Sequence, residues 1–526
     1  MISSFMGLET AKRAMSTAQS ALYTTGQNVA NANTPGYSRQ RVNLSQTTSF
    51  PAVGMNNPMI PGQIGTGVQA DSVQRIRESF LDAQYRGQNH KIGYYGSMSE
   101  SLGKIEGIMD ESGSSGLQGV LSKFWNSLQD LTSNTDNSGA REVAAASGQT
   151  VADTLNYYHS SLTSVQSDIK DQINVTAEQI NTLVGNIEKL NKEISTIEPH
   201  GYLPNDLYDQ RDLLVDELSG LINIKVTKVQ PDNYGIAKDI AEGLYNIEVV
   251  ANDGKSYSPP INLVGANKTG MLGTTKAEVK YEKGKDPAMV TGVKFGNQEL
   301  SEYKFSGKLA GLIESHGYIS QVGGVDTVQG IYPDMLKNLN NMTEAFATEF
   351  NKIHSEGYGL GKTEKSNLDF FKFDTGNAAK TLVVNPEILK NPSLIAAGEK
   401  SGASGDNSNA KLLAELKSVD FSEYKFYKIA GNILPEGLTG NLDSFYAGVI
   451  GKLGVVSQGA QKDLSNSITL SESVEKNRQS VSAVSLDEEM TDMIKFQHAY
   501  NAAARNITMV DEMLDKIING LGTGGR

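Results

Sequence analysis

The spacing of apolar residues divides the chain into helical ends and a middle of different period. Leu8, Ala11, Met15, Ala18, Leu22, Thr25 and Val29 recur in alternating steps of three and four, which is the seam of a coiled-coil helix. Pro35 and Gly36 end the run, because proline has no amide to donate and glycine leaves the helix freely. At the other end Met493, Phe496, Tyr500, Ala503, Ile507, Val510, Leu514, Ile517 and Leu521 keep the same alternation. Ser485 with Glu488 has capping-box spacing at the start of this helix. Glu488, Glu489 and Asp492 near its start and Lys516 near its end suit the helix dipole. Gly520 and Gly522 close it.

A third heptad run links Ile169, Ile173, Thr176, Ile180, Leu183, Ile187, Leu190, Ile194 and Ile197, then stops at Pro199 and Gly201. Met335, Leu339, Met342, Phe346, Phe350 and Ile353 predict another helix over about 333–354, and helical pattern returns from about Leu442. Between these helices the period falls to two. Ile222, Ile224 and Val226 alternate with polar residues, as do Ile247 and Val249 before Asn252-Asp253-Gly254. Val279 with Tyr281, and Val293 with Phe295 before Gly296-Asn297, repeat the pattern. Period two punctuated by glycine and asparagine predicts β-hairpins.

The expected fold is mainly α with a β-rich insertion: terminal coiled-coil helices, a helical-bundle body and an outer β domain. The boundaries read 1–84 plus 485–526 for the coiled-coil core and 85–225 plus 328–360 plus 435–484 for the helical body. The β-rich insertion covers 226–327, and 361–434 is a variable mixed segment. Each terminal stripe is too narrow to fold alone, since an isolated helix with one apolar seam is marginal in water. The two stripes therefore pair with each other, as in an ordinary bundle, or with neighbouring subunits in an assembly; both arrangements use the same seam.

Length and composition narrow the classes. With 526 residues the chain is too long for one core. A net charge of −13, from 47 basic and 60 acidic residues, argues against nucleic acid as a partner, because a phosphate backbone needs a basic face. The chain has no cysteine, which removes disulfides, thiolate catalysis and cysteine metal sites. No stretch approaches the ~18–20 apolar residues of a membrane span. The start lacks a basic stretch followed by an apolar run, so no cleaved signal peptide is expected. The chain is then either cytoplasmic or exported by a route that cleaves nothing.

Catalytic patterns do not form. The histidines, at 90, 159, 200, 316, 354 and 498, show no zinc-ligand spacing. Gly361-Lys362-Thr363 looks like the end of a phosphate-binding loop, but Glu356 stands where that loop needs its first glycine. Gly62, Gly65 and Gly67 do not open a helix. No catalytic, cofactor or metal residue is expected. An enzyme carried on the variable insertions would need a motif such as H-E-x-x-H, which 226–434 lacks.

Residues 27–40, Gln-Asn-Val-Ala-Asn-Ala-Asn-Thr-Pro-Gly-Tyr-Ser-Arg-Gln, closely resemble the N-terminal motif of the flagellar axial proteins. The closing Ser38-Arg39-Gln40 is similar to that of the hook-associated members. Asn205–Asp212 resembles their D-L-x-D-Q-R-D motif, with Tyr208 in the variable place. Phe350-Asn351-Lys352-Ile353-His354 with Gly357, Gly361 and Phe370-Phe371 resembles a further stretch of the family. So do Ser485–Met490, Phe496–Tyr500, Ala504-Arg505 and Asp511–Asp515.

The resemblance implies a structural subunit joining the flagellar hook to the filament. It implies export through the flagellum's own type III pathway and an extracellular location on the flagellum. The implied partners are identical copies in a ring, the hook protein, the next hook-associated protein toward the filament and an export chaperone, with no nucleic acid, membrane or cofactor. Leu8, Met15, Leu22, Val29, Met493, Phe496, Tyr500, Ile507, Val510, Leu514 and Ile517 are the expected assembly interface. Asn31, Asn33, Pro35, Gly36 and Tyr37 form the expected motif turn. A hook or rod subunit, or a secreted coiled-coil adhesin or effector, stands as the alternative.

Overall fold

The computed structural model describes residues 4–51, 62–110, 116–285, 287–300, 304–322, 324–421, 428–429, 432–433 and 440–520. Leu521 and Gly522, at the end of the predicted C-terminal seam, lie outside the described residues, as do residues 435–439. The chain is mainly helical, and strands occupy a smaller share. It divides into two compact units, each assembled from separated segments: Met1–His90, Gln179–Lys276 and Ser467–Arg526 in the first, Lys91–Glu178 and Ala277–Asn466 in the second.

In the first unit the N-terminal helix, Ser4–Ala30, packs along the C-terminal helix, Leu486–Gly520. The two predicted seams thus meet within one chain. The N-terminal helix ends where the Asn-Thr-Pro-Gly stretch starts. Asn31 N donates to Gln27 O at 3.0 Å, Thr34 N to Asn31 O at 2.9 Å, and Gly36 takes a positive φ of 79°. A side chain there would be strained in backbone conformation and would also meet Leu213 at 3.5 Å. An antiparallel ribbon follows, Gln40–Gln46 with Val68–Arg75, laid against the N-terminal helix through Thr17 Oγ1, which donates to Val68 O at 3.2 Å. The helix Asn205–Leu221 then leads into a four-stranded antiparallel meander. Its strands are Ile224–Val229, Leu244–Val250, Ser256–Asn267 and Gly270–Thr274.

The period-two stretches beyond residue 276 build a different sheet, in the second unit. Ala277–Tyr281 pairs antiparallel with Val290–Phe295, whose single bridge to Tyr318–Val322 is parallel. Val325–Gln329 closes one edge, and Gln298–Leu300 adds to Val290–Phe295. The helix Ile331–Glu356 covers the predicted 333–354 and carries a long apolar face. Phe124, Trp125, Phe346, Phe350, Phe370 and Phe371 form the aromatic centre of this unit, with ring centroids 4.8–6.3 Å apart. Trp125 is the chain's single tryptophan, so its fluorescence reports on the second unit alone.

His354 is fully buried beside this cluster. Its Nδ1 lies 2.7 Å from Leu368 O and its Nε2 accepts from Ala396 N at 3.0 Å, which is the geometry of a neutral ring. Burial, aided by the Arg141 guanidinium, lowers its pKa from 6.5 to about 4 against the pull of the Leu368 carbonyl. The unfolded chain therefore binds the extra proton first. Stability that is full above pH 6.5 falls as the pH drops toward 4, by about 3 kcal/mol over that window at 1.36 kcal/mol per pKa unit. The urea midpoint of Trp125 fluorescence should fall between pH 7 and pH 4.5, and His354→Gln should flatten the dependence. An equally steep profile in that variant would assign the titration to other groups.

Gly361-Lys362-Thr363 forms no phosphate cradle. Gly361 N donates to Gly402 O at 2.8 Å and Lys362 N to Gly359 O at 3.1 Å, so the amides that would face a phosphate are already used.

Candidate functional site

The family-like motifs, far apart in sequence, meet in the first unit. Asn28 is buried and uses its whole amide. Its Oδ1 accepts from Gln40 N at 3.0 Å and from the Tyr37 hydroxyl at 2.8 Å. Its Nδ2 donates to Gln40 O at 2.8 Å and to Glu489 Oε2 at 3.0 Å. A buried amide with every donor and acceptor satisfied holds one geometry, because any shift leaves a polar atom unpaired. Arg39 extends the contact to the start of the C-terminal helix, with Nε 2.6 Å from Glu489 and Nη1 2.6 Å from Glu488. Arg39 N also donates to Ser482 O at 2.9 Å.

Behind this turn lies a buried charge lattice. Asp209, Asp212 and Asp216 stand at i, i+3 and i+7 of the helix Asn205–Leu221, on one face. Ser38 binds Asp209 through its amide at 2.9 Å and its hydroxyl at 2.7 Å. Arg75, almost wholly buried, reaches Asp209 at 2.8 Å, Asp212 at 2.6 Å and Glu242 at 2.5 Å. Arg77 pairs with Asp82 at 2.8 Å. Arg86 bridges Asp212 at 3.0 Å and Asp216 at 2.6 Å. Arg478 reaches Asp216 at 2.5 Å and lies over the Tyr85 ring. The guanidinium of Arg211 stacks 3.5 Å from the Tyr245 ring centroid, and the single Tyr245 hydroxyl proton is shared between Asp212 Oδ1 and Glu242 Oε2, each 2.9 Å away.

The lattice treats its carboxylates differently. Burial alone would raise the pKa of Asp212, but Arg75, Arg77, Arg86 and Arg211 outweigh it and hold the group well below the usual carboxylate range. At Asp209 burial prevails over Arg75 and Ser38, and the pKa rises. Asp212 is thus the anionic centre around which the arginines are arranged.

The residues expected at an assembly interface fall along the helix pair. Leu8, Met15, Leu22 and Val29 are half-buried, as are Met493, Phe496, Tyr500, Ile507, Val510 and Leu514; Ile517 is exposed. The fully buried positions of the pair are small or polar: Ala11, Thr17, Ala18, Ala21, Thr24, Thr25, Asn28, Glu489 and Ala503. Two helices packed side by side shield only the innermost part of each seam, so large side chains there stay half in water. Beyond the seam the C-terminal helix exposes Leu486, Met490, Ile494, Met509, Met513 and Ile518. In the motif turn Asn33, Pro35 and Gly36 are exposed, while Asn31 bonds Gln27 O and Thr34, and Tyr37 bonds Asn28.

Sequence reasoning passed over Arg75, Arg77, Arg86, Glu242, Tyr245 and Arg478, and quoted Asn28 and Glu489 without singling them out. The spacing of Asp209, Asp212 and Asp216 on one helical face, with Arg75 and Arg77 on one face of a strand end, was the available signal. Among the described residues no group of three or more His, Asp or Glu could hold a metal ion, and no helix is long and apolar enough to cross a membrane.

Comparison with known proteins agrees with this reading of the motifs. Residues 102–371 match the family profile described as the flagellar hook-associated protein FlgK helical domain. Residues 8–37 match the flagella basal body rod protein profile, and 476–520 the C-terminal profile of the flagellar basal body rod FlgEFG proteins. Flagellar hook-associated protein 1 of Bacillus subtilis (strain 168) is 44% identical over 534 aligned residues, covering 100% of each chain. That of Escherichia coli (strain K12) is 24% identical, covering 97% of this chain and 99% of its own. The flagellar hook junction protein FlgK from Burkholderia pseudomallei has a similar fold, with a TM-score of 0.53 at 14% identity, covering 77% of this chain and 100% of its own. With its full-length similarity, its helical-domain match and its shared fold, the chain belongs to the flagellar hook-associated protein 1 family, whose members are structural proteins of the flagellum and not enzymes.

Proposed function

We propose that the chain joins the bacterial flagellar hook to the filament and polymerises through its terminal helices. One observation carries the polymerisation. After the two terminal helices have paired, Met490, Ile494, Met509, Met513 and Ile517 still face solvent along the C-terminal helix. Two exposed apolar patches on one folded helix, Met490 with Ile494 and Met509 with Met513 and Ile517, are the mark of an interface still to be formed. Neighbouring copies in a ring bury them, with the hook protein on one side and the next hook-associated protein on the other. The site of action is extracellular, reached through the flagellum's own export pathway with an export chaperone.

Immunolabelled flagella test the location: label at the distal end of the hook supports the assignment, and label along the shaft or none overturns it. For polymerisation, Ile494→Asp is informative because the side chain is already exposed, at 54%. The purified variant should keep its helix content, since more than half of the side chain already lies in solvent. Burying the new carboxylate between subunits costs several kcal/mol, so cells should lose attached filaments and release filament protein into the medium. Normal swimming with attached filaments would remove this face from the assembly contact.

A further inference from the structure

The seam between the terminal helices is nearly degenerate along its axis. Leu8, Met15, Leu22 and Val29 repeat every seven residues, as do Met493, Tyr500, Ile507 and Leu514. A slide by one heptad sets large apolar residues against large apolar residues again, and the tight positions are alanine and threonine. Such a seam selects a partner without selecting a register. The tether is equally permissive. Residues 483–485 separate Leu442–Ser482 from Leu486–Gly520. Three residues span up to roughly 10 Å, close to the rise of about 10.5 Å for one heptad.

One group breaks the degeneracy. Glu489 is the only charged side chain of the C-terminal helix among those described that is buried, at 2% exposure. Its two oxygens meet two different donors, Arg39 Nε at 2.6 Å and Asn28 Nδ2 at 3.0 Å. Asn28 has no capacity left to accept a substitute arrangement. A slide of seven residues would take the carboxylate from both donors: in one direction it lands beside Ala21 inside the apolar seam, in the other beyond the end of the N-terminal helix at Ala30, and either way the buried Asn28 amide loses its partner. We propose that Glu489, held by Asn28 and Arg39, sets the register of the terminal helix pair. It is a positioning residue: the seam makes the helices pair, and Glu489 decides at which offset. The inference concerns the single chain and stands whether or not the helices polymerise.

The cysteine-free sequence allows a direct test. A Cβ at Gly7 would lie 3.8 Å from Val510 Cγ2, within reach of a disulfide. Gly7→Cys with Val510→Cys reports the native register. Gly7→Cys with Ala503→Cys, or with Ile517→Cys, reports a slide of one heptad in either direction. Under mild oxidation of the full chain, the 7–510 pair should cross-link at least about tenfold more than either shifted pair. Adding Glu489→Ala should raise the shifted pairs to a yield comparable with 7–510, and Asn28→Ala should do the same. Trp125 fluorescence should not change, since the second unit is untouched. Three results would overturn the proposal: 7–510 alone in the Glu489→Ala background, comparable yields of all three pairs with Glu489 in place, or loss of every cross-link in the variants. The last would mean that the contact holds the helices together without choosing their offset.

Discussion

Asp212→Asn should unfold the first unit's interior while leaving the second unit's stability nearly unchanged. The substitution preserves shape and removes one negative charge from among Arg75, Arg77, Arg86 and Arg211, which face Asp212 at close range. Breaking a buried ion network by removing one partner costs about 3–5 kcal/mol, because the remaining charges stay buried without compensation. Amide exchange over Asn205–Leu221 should accelerate by at least a hundredfold, while the urea transition of Trp125 keeps its midpoint. Asp209→Asn is the internal comparison. Asp209 meets one guanidinium closely, Arg75 at 2.8 Å, where Asp212 is ringed by four, so its loss should cost less than that of Asp212. Equal losses at the two positions would show that the lattice does not centre on Asp212. The acid response follows the same signs. Stability from Asp212 is present above the ordinary carboxylate range and is lost as the pH falls through its depressed pKa. Asp209 acts in the opposite sense.

The second large effect belongs to the aromatic centre. Phe350 is fully buried and packs on Phe370 at 4.9 Å, Phe371 at 5.3 Å and Phe124 at 5.5 Å between centroids. Phe350→Ala leaves a cavity that these rings cannot close without abandoning one another, and such losses run to about 3–5 kcal/mol. With a urea dependence of roughly 2–3 kcal/mol per molar, the Trp125 midpoint should fall by about 1–2 M without a change of slope. A fall below about 0.3 M would show that the cluster repacks and that Phe350 is not its keystone. Because Trp125 reports only this unit, the two substitutions should give opposite patterns in fluorescence and in amide exchange over 205–221.

The terminal helices, the helix over 331–356 and four strands, those around 222–226, 247–249, 279–281 and 293–295, were legible in the chain because their signals are local. Heptad spacing, proline and glycine punctuation and period-two alternation act within a turn or a hairpin, so they survive the absence of any tertiary information. The same holds for the family motifs, which are contiguous strings. The pairing of the two terminal seams was left open, since a seam that meets its own chain and one that meets a neighbour have the same pattern. Tertiary structure decided that they meet within the chain, and that a second apolar face remains outside.

It also decided the buried chemistry. Asn28, Arg39 and Glu489 are separated by up to 461 residues along the chain, and Arg75 meets Glu242 across 167. No local propensity marks a charged residue as buried; its burial depends on which opposite charges the fold brings to it, and that is settled only when distant segments share one interior. The period-two stretches divide between two sheets for the same reason. Alternation says that a strand has one dry face, but which core dries it depends on the neighbours that the rest of the chain supplies.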